Sequence, residues 1–186
     1  MAGRTFLYHG TSLDSALNIA QGIDLDYGKR CQDFSHYSGF YLNRIKVEAC
    51  SMAKKPKTYE NSIPAVVIYE EPENLHHYCC LDLSNNKNDW EDVIRYNRSG
   101  QSISLEVRNE SLYRNYEKCS YIIGPTYQRT FNISRNNWTW TTSPAGFNNS
   151  YRQMCIKSVQ LSIEFNRNLF DIICLENDEW VSVEFF

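Results

Sequence analysis

The stretch PAVVIY at 64–69 leaves the chain little conformational choice. Val66, Val67 and Ile68 are consecutive β-branched residues, which fit a buried strand and crowd a helix. Shorter runs of the same kind recur at 4–8 (RTFLY), 39–42 (GFYL), 78–83 (YCCLDL) and 121–125 (YIIGP, stopped by Gly-Pro). They continue at 153–158 (QMCIKS), 169–175 (LFDIICL) and 180–186 (WVSVEFF), with Asn177-Asp178 as the turn between the last two. Helical spacing shows in three places. LDSALNIAQG puts Leu13, Ala16, Leu17 and Ala20 on one face, with Thr11 or Ser12 as N-cap and Gly22 closing the helix. KVEACSMAK at 46–54 turns Val47, Cys50 and Met52-Ala53 inward and ends before Pro56. NDWEDVIRY at 88–96 aligns Trp90, Val93 and Ile94. Residues 23–38, 97–112 and 134–150 read as irregular. Strands outnumber helices, and the helices cluster in the N-terminal half. The pattern is α+β, and no linker divides it, so residues 1–186 form one domain.

Several function classes drop out on composition. A net charge of −3 provides no phosphate-tracking surface, so nothing calls for a nucleic-acid partner. The seven Cys are odd in number and form no CxxC pair, which argues against a disulfide framework and a zinc site. His77 and Cys79 would share a face of one strand, but two ligands do not make a site, and no metal is expected. No window reaches the roughly 18 apolar residues of a membrane span, so no membrane partner is expected. The start MAGRTFLYHG lacks an apolar signal core, and the free cysteines suit a reducing compartment. The expectation is an intracellular, cytoplasmic protein, or one delivered into a host cell.

Three short segments carry chemistry: YHGTS at 8–12, SGFYL at 38–42 and RQMCIKS at 152–158. Gly10 lets a ligand approach the main chain. His9 can hydrogen-bond a hydroxyl through a ring nitrogen, and Tyr41 can stack on an aromatic ring. In this order the segments resemble the diphtheria-toxin-like branch of the ADP-ribosyltransferase superfamily, which includes the poly(ADP-ribose) polymerases. They are more similar still to an uncharacterised bacterial and fungal family with LYHGT, DFG-x-GFYLT, a strand ending in Gly-Pro and a strand starting with Gln. The matching pieces here are LYHGTS at 7–12, DFSHYSGFYL at 33–42, SYIIGP at 120–125 and RQMCIKS at 152–158.

The resemblance implies split mixed β-sheets and a cleft for NAD+ as substrate. It implies that His9, Tyr41 and Gln153 form the catalytic constellation. Gly10 would pair with the nicotinamide carboxamide, and His9 with a ribose hydroxyl. Thr11, Ser12, Gly39 and Phe40 would complete the binding surface. Arg30 or Lys29, in the 23–38 loop, could meet the pyrophosphate. Gln153 stands where the branch usually has Glu. It can accept a hydrogen bond but brings no charge and no base. The implied activity is therefore mono-ADP-ribosyl transfer to an unknown acceptor, with NAD+ hydrolysis or silent binding as alternatives and polymer synthesis disfavoured. Ala49 and Met52 stand where the polymerases carry Ser and a second Tyr. Glu164 is a candidate substitute carboxylate.

Overall fold

β1 (Phe6–Ser12) lies at the middle of the molecule and runs antiparallel to β3 (Pro64–Glu70) along its whole length, from Phe6↔Glu70 to Ser12↔Pro64. The computed structural model describes residues 3–27, 32–36, 38–55, 62–99, 105–125 and 152–184. Arg30, Lys29 and the 134–150 stretch lie outside those residues. Beyond β3 come β7 (Leu169–Glu176) and β8 (Glu179–Ser182). On the other side of β1 come β2 (Phe40–Asn43), β6 (Arg152–Ile156), β5 (Tyr121–Pro125) and β4 (Cys80–Asp82). All neighbours are antiparallel except β4 and β5, so the sheet is mixed.

The strands follow from the apolar runs, and the turn at Asn177-Asp178 carries both residues at positive φ (48° and 66°), as a tight right-twisted hairpin demands. One expectation changes. Among the described residues the strands form one eight-stranded sheet, not two separate ones. Its weakest seam is the junction of β1 with β2, where the register consists of Tyr8↔Asn43 alone.

The helices are α1 (Leu13–Gln21), α2 (Lys46–Ala53), α3 (Lys87–Ser99), α4 (Leu105–Arg108), α5 (Glu110–Lys118) and α6 (Val159–Arg167). They do not cluster early, because α4, α5 and α6 belong to the second half. α4 and the start of α5 form in the stretch expected to be irregular. Asn109 caps α5 by accepting from Leu112 N–H, and Leu112 and Tyr116, one turn apart, are its buried pair. Ser158 caps α6 in the same way, and Leu161 and Phe165 anchor it.

Core packs on both faces of the sheet. Leu7, Phe40, Leu42, Met154 and Ile156 share one face with Leu161 and Phe165 of α6. The other face divides. Val66, Ile68 and Ile173 pack under α2, while Ile122 and Cys155 pack against Trp90, Val93 and Ile94 of α3 and against Phe34.

α2 presents only part of the expected face. Ala53 is buried and Cys50 packs beside it, but Ala49 joins them, and Val47 and Met52 are exposed. The reason is Gly10. A methyl group there would overlap the Ala49 carbonyl and sit 3.0 Å from Ala53 N. The α2 backbone lies directly on β1, and only small residues fit between them. His76 and His77 sit in a 3-10 turn (Leu75–His77), not on a strand. Among the described residues, no three His, Cys, Asp or Glu side chains group as a metal site would need, and no helix is long and apolar enough to cross a membrane.

Candidate functional site

The seam between β1 and β2 brings two of the three sequence-predicted residues together. Phase along β1 follows from two flanking bonds to the β3 side, Glu71 N–H to Thr5 C=O and Leu13 N–H to Ile63 C=O. Odd-numbered residues of β1 therefore face β3, and the N–H and C=O of Tyr8, Gly10 and Ser12 face β2. The registered pairing with β2 ends at Tyr8↔Asn43, so the main chain of Gly10 is directed toward β2 beyond the last registered pair. There His9 Nδ1 stands 2.7 Å from the carbonyl oxygen of Tyr41. A carbonyl only accepts, so Nδ1 carries the proton, and in the neutral ring Nε2 is the acceptor nitrogen. Phe40 stacks on the His9 ring at 4.4 Å between centroids and fixes its plane.

Phe40 is thus a buried support, not part of an open surface. Ser12 is likewise spent on structure. Its hydroxyl accepts from Ser15 N–H at the start of α1 and bonds Ser15 Oγ. Thr11 is buried on β1, opposite Ala65. Gly39 has φ +156°, and a methyl group there would meet Ser35 Cβ and Cys155 Sγ at 2.9 and 2.8 Å. Its role in this fold is to let the 32–36 segment press against β2 and β6.

Tyr41 and Gln153 lie on the same face, through the registered pairs Tyr41↔Cys155 and Asn43↔Gln153. His9, packed on Phe40, approaches from the opposite face and reaches Tyr41 through its backbone. The Tyr41 ring is half-buried, and its hydroxyl is committed. It accepts from Phe34 N–H at 2.8 Å and bonds Ser35 Oγ at 3.0 Å. Burial first, then the neighbouring Cys155, raises the phenol well above its ordinary value, so it stays protonated. Tyr41→Phe keeps the ring but strands a buried N–H. It should cost about 1–3 kcal/mol by urea unfolding.

Cys155 adds a pH signature. Burial pushes its thiol from 9.0 up to about 12. A folded-state value above the unfolded one contributes stability that is complete below the unfolded pKa and declines above it. With Tyr41 shifted the same way, stability should hold to about pH 9 and fall progressively toward pH 12. Denaturant midpoints measured at pH 8 and again near pH 11 test the sign.

Gln153 is buried and donates its Nε2 to Asp33 Oδ2 at 3.0 Å. Asp33 Oδ1 takes Arg98 Nε and Nη2 of α3. Asn97 Nδ2 donates to the Asp33 carbonyl at 3.2 Å, and Tyr116 OH donates to Asn97 Oδ1 at 2.7 Å. None of Asp33, Asn97 and Arg98 was singled out from the sequence. Asp33 opens the quoted DFS segment, which is a signal; Arg98 falls at the start of the 97–112 stretch read as irregular and offers none. Glu164 lies on α6 with Arg167 Nη1 at 3.1 Å, and the carboxylate that touches Gln153 is Asp33. Ala49 is buried under Gly10 and Met52 is exposed, so neither takes up the role of the polymerase Ser or Tyr.

Fold and site together define a mixed α+β domain with a strand seam bridged by a histidine and flanked by a buried polar network. Over residues 5–164 the chain matches the family described as "Protein of unknown function (DUF3990)", and it belongs to that family. Searches of curated proteins and of solved structures returned no match.

Proposed function

We propose that the chain is an NAD+-dependent mono-ADP-ribosyltransferase whose cleft opens at the β1–β2 seam. The observation that carries the reading is the pairing of His9 Nδ1 with the Tyr41 carbonyl where Gly10 turns its main chain toward β2. One lip would then offer the Gly10 N–H and C=O, a donor and acceptor pair complementary to a carboxamide, with His9 Nε2 as acceptor for a ribose hydroxyl. The other lip would offer the half-buried Tyr41 ring and the Gln153 amide.

Transfer breaks the bond between the ribose anomeric carbon and the nicotinamide nitrogen. The electron pair leaves with nicotinamide, and the acceptor's nucleophile closes on the oxocarbenium-like ribose. The protein's part is to hold the ring and the ribose apart in an orientation that favours departure. Asp33 is already neutralised by Arg98, and Gln153 is uncharged, so this site lends little help in taking a proton from an acceptor. That observation favours a second reading, a module that binds NAD+ or ADP-ribose without turnover, and it disfavours polymer synthesis.

The deciding experiment incubates the chain with labelled NAD+, with and without cell lysate, beside His9→Ala. Label on an acceptor supports the transferase. Nicotinamide release without an acceptor supports a glycohydrolase, and saturable binding without release supports the module. Neither binding nor consumption removes all three.

A further inference from the structure

Building on the NAD+ reading, we propose that the Asp33–Arg98 pair fixes the polarity of Gln153, so that its amide oxygen is the end presented to a ligand and the position selects a hydroxyl donor. Asp33 and Arg98 are positioning residues here, acting through Gln153.

Donor and acceptor roles run in one direction through this network. Arg98 can only donate, and it holds Asp33 Oδ1. An ionised carboxylate can only accept, so Asp33 Oδ2 must face a donor. The group it faces is the Gln153 amide, at 3.0 Å. The NH2 end of Gln153 is therefore bound to Asp33, because the flipped amide would set two acceptors against each other. Asp33 cannot relax away from this arrangement. Its side chain is 8% exposed, and Asn97, fully buried, holds its carbonyl from the same turn of α3. Gln153 Oε1 is left as the end that meets a partner, and it too only accepts. A ribose hydroxyl can satisfy it; a phosphate or carboxylate oxygen cannot.

The same geometry explains why Gln stands where a Glu would be expected. A Glu at 153 would bring a second carboxylate against Asp33 Oδ2 in a buried setting. Gln153→Glu alone should therefore not simply restore a missing catalytic charge. In an Asp33→Asn background it fits, because the Asn NH2 can donate to it.

The test compares the wild type, Asp33→Asn, and the double variant Asp33→Asn with Gln153→Glu, all as full chains. Asp33→Asn can keep its oxygen on Arg98 and turn its NH2 toward Gln153, which then reverses. NAD+ binding by calorimetry should weaken roughly 10- to 100-fold in a variant that still unfolds cooperatively. The double variant presents a carboxylate oxygen to the ligand again and should bind within about threefold of wild type. The Gln153 side-chain amide, followed by 15N NMR without ligand, should be protected from solvent exchange in the wild type and shifted by Asp33→Asn.

Wild-type affinity in folded Asp33→Asn overturns the proposal, as does a folded double variant no better than the single. If Asp33→Asn does not fold, the wild-type amide decides alone: free exchange with water overturns the proposal, and protection supports it. A protected amide in a wild type that binds no NAD+ supports the fixed polarity of Gln153 while removing the NAD+ reading.

Discussion

Gly10→Ala is expected to cost about 3 kcal/mol or more and to abolish any ligand binding at the β1–β2 seam. The added methyl group would overlap the Ala49 carbonyl of α2 and crowd Ala53 N, and both are main-chain atoms in a helix. A flexible side chain could swing aside, but a helix backbone must move as a unit. Ala49 and Ala53 are already as small as side chains allow, so no repacking absorbs the volume. Either α2 lifts from β1, exposing Val66 and Ile68, or β1 shifts against β3 along seven registered pairs. Urea unfolding of the variant measures the loss. Wild-type stability in the Gly10→Ala variant would mean that α2 does not lie on β1 in this way.

Arg98→Ala is expected to cost about 3 kcal/mol at neutral pH, because it takes the guanidinium away from the buried Asp33 carboxylate. The loss should exceed that from any exposed ion pair of the molecule, such as Arg114–Glu110, which is two-thirds exposed on both sides. Arg98→Lys should rescue only part of it, since Arg98 engages Asp33 through two nitrogens and an ammonium is a single point charge. Denaturation curves of the three chains at neutral pH measure all of this. Wild-type stability in Arg98→Ala would contradict the pairing.

Much of the sheet was legible in the sequence because a buried strand announces itself by composition. Val66-Val67-Ile68 and Ile172-Ile173 sit in runs that have few alternatives. α4, α5 and α6 were not legible, because each shows a short apolar stripe on a polar segment. α5 buries Leu112 and Tyr116 among Glu, Arg, Asn and Lys, and a caps-first search at Asn109 and Ser158 would have found α5 and α6. The site divides the same way. His9, Gly10 and Tyr41 lie in short ordered segments whose residue types suggest their chemistry. The roles of Phe40, Ser12 and Gly39 are set by which face each strand buries, and that depends on register. Asp33 and Arg98 are 65 residues apart and Asp33 and Gln153 are 120 apart. No local pattern connects residues so distant; only the fold brings them together.

Calorimetric titration of NAD+ into the wild-type chain and into His9→Ala is the most direct measurement of whether the seam holds this ligand. The wild type should bind saturably, and His9→Ala, still folded, should bind at least about tenfold more weakly. A wild type that binds no NAD+, or a folded His9→Ala that binds it equally well, would contradict a cleft built on His9 and Tyr41.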